Sequence, residues 1–229
     1  MDGQPIHIKF KNQQNPQARF DLLNLEDVFH RKDLDHSPFQ AHLVEFYMIL
    51  LIEEGEGIHT IDFTEYIYQK GTLLTIRKDQ IHKFHKNDSA KGRLLLFTDE
   101  FMFGYLEFLE ALKVLQLFNE FLGVPKIQLT EEELEEIIAL IKRIEKEYFK
   151  LNDSYSMGII RSQLHILITK LYRIKSLNNP ISYDRKYLQA FIQLQQLVEE
   201  KADKYLKVKD YAQIMAISTK TLNTTTQNI

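Results

Sequence analysis

Three observations predict an α+β protein, with an N-terminal antiparallel β-barrel followed by an α-helical segment. Short apolar runs broken by turn residues fill the chain up to about Thr98, the spacing of apolar residues turns helical from about Phe101, and a helix-capping sequence stands at Thr130. Strands that recur about every ten residues between turn signals build sandwiches or barrels rather than parallel βαβ units.

The first run, Leu43 to Ile52, is aromatic and aliphatic and closes on the turn Glu54-Gly55-Glu56-Gly57. Ile58 to Phe63 alternates, with Ile58, Thr60 and Asp62 on one face and His59, Ile61 and Phe63 on the other. Tyr66 and Tyr68 carry the alternation on to Gly71. Leu73 to Ile76 is a short run that ends before Lys78-Asp79, and Leu94 to Phe97 follows Lys91-Gly92. Thr130-Glu131-Glu132-Glu133 then reads as a capping box, with acidic residues where the helix dipole favours negative charge. Behind it Leu134, Ile137, Ile138, Ile141, Ile144 and Tyr148 form one apolar stripe. A second helix follows Asn152-Asp153-Ser154, with Ile160, Leu164, Leu167, Ile168 and Leu171 aligned, and Asn178-Asn179-Pro180 ends it. A third is expected from about Asp184 to Lys204, aligning Tyr187, Phe191, Leu194 and Val198. The expected division is a β domain with a trailing helix at 1–125, a helical linker at 126–205 and a last segment at 206–229.

Composition narrows the function classes. With 229 residues, 44% hydrophobic and 27% charged, the chain has the balance of an ordinary globular protein. Its most apolar run, Val44 to Ile52, contains Glu45 and is too short to cross a bilayer, so no membrane partner is expected. Met1 to Pro5 lacks the basic and apolar regions of a signal peptide, and there is no cysteine, so neither a disulfide framework nor a thiolate metal site exists. A cytoplasmic location is the expectation. The net charge of −3 means that any surface for DNA is confined to one region or lies outside this chain.

No catalytic motif emerges: there is no G-x-S-x-G elbow, phosphate-cradling glycine loop or H-E-x-x-H helix. Eight histidines raise the question of a metal site, which in a small barrel needs imidazoles two apart on one strand. His82 and His85 are three apart, which places them on opposite faces, while His42 and His59 each stand alone in the sequence. Neither a metal nor another cofactor is therefore expected, and the chain does not read as an enzyme.

Two stretches carry a family resemblance. His42 to Tyr47, Glu54 to Asp62 and Tyr66 to Phe84 resemble, in order and spacing, the cupin-like sensor of AraC-family transcription regulators. In that family a glycine at the place of Gly71 leads into a strand that ends at a Pro-Gly-x-x-His-like corner; here Lys78-Asp79-Gln80-Ile81-His82 holds the corner without proline or glycine. Val208 to Leu222 resembles the first helix-turn-helix of the family's DNA-binding domain. Ala212 is small where two helices cross, Ile217 and Leu222 are apolar contacts, Ser218 is a good N-cap, and Ala216 replaces a glycine in the turn.

The resemblance implies a regulator that responds to a small-molecule effector, with a sensor that holds no metal. Phe46, Tyr47, Phe63, Tyr66, Tyr68 and His82 are the expected pocket residues. Lys220, Thr221, Asn223, Thr224 and Gln227, together with Thr225 and Asn228, are the expected DNA contacts: asparagine and glutamine read adenine, and threonine meets phosphate or a thymine methyl. The family's domain has two helix-turn-helix units, so the chain is expected to be unfinished at Ile229 and to bind DNA only as part of a longer protein. The stripes beginning at Leu134 and Tyr187 leave one for a homodimer interface, burial within the monomer being the alternative. A metal-dependent cupin enzyme, or a small-molecule-binding cupin with a helical appendage, is the competing reading.

Overall fold

The computed structural model describes residues 5–12, 15, 17–30, 37–86, 89–104, 125–178, 190, 193–194, 197–198, 201, 204 and 206–227. Ten strands and six α-helices occupy these residues. In chain order they are β1 (Ile6–Ile8), β2 (Phe20–Asn24), α1 (Leu25–His30), β3 (His42–Val44), β4 (Tyr47–Glu54), β5 (Gly57–Ile61), β6 (Thr64–Tyr68), β7 (Thr72–Ile76), β8 (Ile81–Phe84), β9 (Lys91–Phe97), α2 (Asp99–Phe103), β10 (Lys126–Gln128), α3 (Glu131–Lys146), α4 (Ser156–Asn178), α5 (Val208–Ile214) and α6 (Thr219–Gln227). The strands form two five-stranded sheets, ordered β1-β3-β8-β5-β6 and β10-β7-β4-β9-β2. Pairing is antiparallel throughout except between β1 and β3, which run parallel with Ile6 beside His42.

β4 explains the layering. Its run Tyr47-Met48-Ile49-Leu50-Leu51-Ile52 is buried at every position, as a strand must be when both faces of its sheet are covered. Met48, Leu50 and Ile52 face the barrel interior with Val44, Phe46, Ile61, Tyr68, Leu74, Ile76 and Phe84, and α1 closes that core with Leu25, Val28 and Phe29. Tyr47, Ile49 and Leu51 face the other way with Phe20, Leu22, Leu73, Leu95 and Phe97. Onto this second face pack α3 and α4, each burying the stripe expected of it: Leu134, Ile137, Ile141, Ile144 and Tyr148 from the first, Ile160, Leu164, Leu167, Ile168 and Leu171 from the second. Each such side chain contributes about 1.5–3 kcal/mol on leaving water. The stripe beginning at Leu134 is thus consumed inside the monomer and is not available to a partner. The expected third helix, with Tyr187 and Phe191, lies largely outside the described residues.

The capping box at Thr130 forms in full: the Glu133 amide donates to the threonine hydroxyl at 3.3 Å and the Thr130 amide to the Glu133 carboxylate at 2.8 Å. α3 ends in a π-helical turn, Glu147–Leu151, stopped by Asn152 in the left-handed region at φ 41°. The Tyr148 hydroxyl, on that turn, donates to Asp21 Oδ1 at 2.8 Å and accepts from Asn12 Nδ2 at 2.6 Å, tying the helices to the edge of the second sheet. The boundary expected at residue 125 falls just before β10, which pairs with β7 and completes that sheet. The β domain therefore takes its last strand from the segment read as linker.

At the other end α5 and α6 form a helix-turn-helix around Ala212, Met215 and Leu222, against which Ala190, Leu194, Leu197, Tyr211 and Ile217 pack. Ser218 caps α6, accepting from the Thr221 amide at 3.0 Å. Ala216 takes φ 53° in the turn, the conformation that a glycine adopts at least cost.

Candidate functional site

The first sheet turns histidines, not only aromatic rings, into the barrel. β3 and β8 align His42 directly with His82, and β5 and β8 align Ile61 with His82 and His59 with Phe84. His59, two residues before Ile61, therefore shares a face with His82. The His42 and His82 ring centroids are 5.6 Å apart, and those of His59 and His82 5.3 Å with nearly parallel planes. All three side chains are buried. Phe84 closes edge-on against His59 at 4.6 Å and against His82 at 5.4 Å. His42 and His59, isolated in sequence, are thus parts of one cluster. His85 lies apart from it as expected, bonded through Nε2 to the Thr60 hydroxyl at 2.8 Å.

Burial dominates the chemistry of these rings. It holds the His59 imidazole down at about 3, helped by His85, and pushes His82 well below the ordinary histidine range, helped by His59 and His42. Both are neutral at neutral pH, each offering one N–H donor and one acceptor nitrogen. Among the described residues, no group of three or more histidine, aspartate or glutamate side chains is arranged to hold a metal ion.

Of the six expected pocket residues, four share this interior. Phe46 and Tyr68 are buried in it, Tyr66 packs against it half-buried, and His82 stands in the cluster. Tyr47 does not: one residue after Phe46, it points through the opposite face of its sheet and stacks on Phe97 at 5.6 Å beneath the helices. Phe63 does not either. The alternation read from Ile58 ends at Ile61, because Asp62 and Phe63 take positive φ values of 46° and 67° and form the β5–β6 turn, leaving Phe63 84% exposed. The corner before His82 keeps its shape without glycine because Asp79 adopts φ 64°, a conformation that aspartate tolerates better than most residues. Gln80 fixes the corner, accepting from the Arg77 amide at 2.7 Å and donating to Asp62 at 2.7 Å. Gly71 takes φ 77°, and a Cβ there would sit 3.1 Å from the Leu129 carbonyl.

The expected DNA-contacting helix is α6. Lys220 and Asn223 are exposed on it, and Thr221 and Thr224 are half-buried. Thr224 and Thr225 return their hydroxyls to the carbonyls of Lys220 and Thr221 at 2.9 and 2.8 Å. Thr225 is fully buried, so it faces the helix pair rather than solvent. Gln227 ends the helix; its side chain and Asn228 lie outside the described residues.

Among solved structures the chain is similar to ToxT from Vibrio cholerae, at 12% identity and a TM-score of 0.47, covering 92% of this chain and 76% of that one. It is similar to ToxT from Vibrio cholerae strain SCE256 with unsaturated fatty acid bound, at 13% identity and a TM-score of 0.47, covering 91% and 72%. A third is the AraC-like transcriptional activator CuxR, at 10% identity and a TM-score of 0.36, covering 81% and 60%. No curated protein sequence matches the chain. A family match spans more than half of it, residues 27–157, from α1 through the barrel and α3 to the start of α4. The chain belongs to the family of AraC-like ligand binding domains.

Proposed function

We propose that this chain is the effector-sensing part of an AraC-type transcription regulator, acting by binding rather than by catalysis. A small molecule enters the barrel interior beside Phe46, Tyr66, Tyr68 and His82, and α3 and α4 carry the change towards the helix-turn-helix. The observation that supports this most is the placing of buried imidazoles in an otherwise apolar barrel, within the span of the family's ligand binding domain. A thermal-shift screen of small metabolites tests it. Stabilising ligands that move amide signals of β4 and β8 support the reading; ligands that map only to the helices overturn it.

The regulator works as a homodimer in the cytoplasm, where its DNA is. With the Leu134 stripe consumed, the Tyr187 stripe remains for pairing, and among the described residues a second apolar row stands on the outer side of α4, where Tyr155, just before it, is 74% exposed, Ile159 40% and Ile166 42%. DNA contact falls to Lys220, Thr221, Asn223, Thr224 and Gln227, and Lys220 is the only basic residue of α6. Phosphate neutralisation by that helix is therefore weak, and the chain by itself is expected to bind DNA poorly, with a shallow salt dependence. Fluorescence anisotropy across a salt series measures this; tight binding with a steep slope refutes it.

A further inference from the structure

His59 carries no hydrogen bond on either ring nitrogen and His82 none on Nδ1, although both are buried. A buried polar group left without a partner is destabilising, and folded proteins retain few of them. These three nitrogens cluster on one face of one sheet, where the two imidazoles stack on each other and Phe84 closes edge-on against them. Among the described residues no buried lysine, arginine, aspartate or glutamate stands beside them. Among the described residues the buried carboxylate, Asp21, engages the Tyr148 hydroxyl and the Leu22 amide, and the buried ammonium, Lys175, is on α4.

We infer that the barrel interior takes an uncharged ligand, apolar in its bulk and bearing a hydroxyl or amide group, read by the imidazoles of His59 and His82. The inference rests on the sensor reading above and names the chemical class of its effector. A neutral imidazole both donates and accepts, so a group that does the same satisfies it. An anion entering this interior meets no buried lysine or arginine among the described residues and loses its hydration. An ammonium likewise meets no buried carboxylate there among the described residues and loses its hydration. The rings also remain uncharged far below neutral pH, since burial holds His59 at about 3.

Benzyl alcohol and benzoate, which share a ring and differ in charge, are the probes, and the whole chain with ¹⁵N-labelled histidine is the target. The expected result is that benzyl alcohol moves the imidazole nitrogen signals of His59 and His82 and binds about tenfold or more tightly than benzoate. In His59→Phe/His82→Phe that binding is lost while the unfolding midpoint holds or rises, because unsatisfied polar atoms have been removed. A fall in the midpoint, as loss of two satisfied structural groups gives, overturns the inference. Equal or tighter binding of benzoate at the two imidazoles overturns the uncharged class and leaves the sensor site standing. Binding of either probe only outside the barrel overturns the site itself. Binding of neither overturns the inference as stated. The comparison of probes on the unaltered chain stands even if the double variant does not fold.

Discussion

Acid is the perturbation to which the barrel interior is most exposed. In the unfolded chain a histidine titrates at its ordinary value of 6.5, whereas in the fold His59 is held at about 3 and His82 is pushed well below 6.5. The unfolded state therefore gains protons that the native state refuses. Stability from these groups is complete above 6.5 and falls steadily as the pH drops from 6.5 towards 3. For His59 the gap sets a ceiling of about 5 kcal/mol. Between about pH 7 and pH 5 the proton refused by His59 costs about 2 kcal/mol, and His82 adds to this in the same direction. That is a large part of the roughly 5–15 kcal/mol that holds a domain folded. Urea unfolding at several pH values, run on the chain and on His59→Phe/His82→Phe, isolates the effect, because carboxylate contributions cancel in the difference. The variant is expected to gain on the unaltered chain by at least about 2 kcal/mol across that interval. A difference that stays constant with pH refutes the placing of these two imidazoles in a closed apolar interior.

Three further expectations follow from individual contacts. Tyr148→Phe leaves Asp21 and Asn12 without the hydroxyl between them and is expected to cost about 1–3 kcal/mol in chemical denaturation, where an unchanged midpoint removes the tie between barrel and helices. Ala216→Gly relieves an alanine at φ 53° and is expected to raise the stability of the α5–α6 unit by about 1 kcal/mol, read as slower amide exchange in those helices; no slowing contradicts the left-handed turn. Ile166→Lys places charge on the outer row of α4 and is expected to weaken dimerisation about tenfold or more in sedimentation equilibrium, with folding stability within about 0.5 kcal/mol. Unaltered association assigns the interface elsewhere.

What was legible in the sequence was whatever one element encodes by itself. The Thr130 box with its stripe behind, the Ile160 to Leu171 face and the apolar runs at Leu73 and Leu94 are local patterns, and each became the element it described, whereas the run from Leu43 to Ile52 divides into β3 and β4, which lie in different sheets. The serine cap and the strained alanine of the helix-turn-helix were equally local. Residues whose meaning depends on a neighbouring strand were not legible. His42 and His82 are forty positions apart and meet only because β3 and β8 pair in that register; His59 joins them through β5. Tyr47 follows Phe46 in an unbroken apolar run, and nothing in such a run says which residue faces which core. Phe63 was misread because the alternation gives no sign of where a strand ends and a turn of two positive-φ residues begins.

β4 belongs to two interiors at once, and that has a consequence for how the molecule responds to a guest. Leu50 belongs to the core of the barrel interior, and Leu51, one peptide bond away, belongs to the core on which the helices lie. Close-packed cores do not absorb a change of volume locally; they pass it on. One strand, β4, contributes alternate residues to both cores. A guest that displaces Met48 or Leu50 displaces the footing of α3 and α4 by the same movement, and Asn12 and Asp21, clasping Tyr148 at the margin, limit how far that footing can slide.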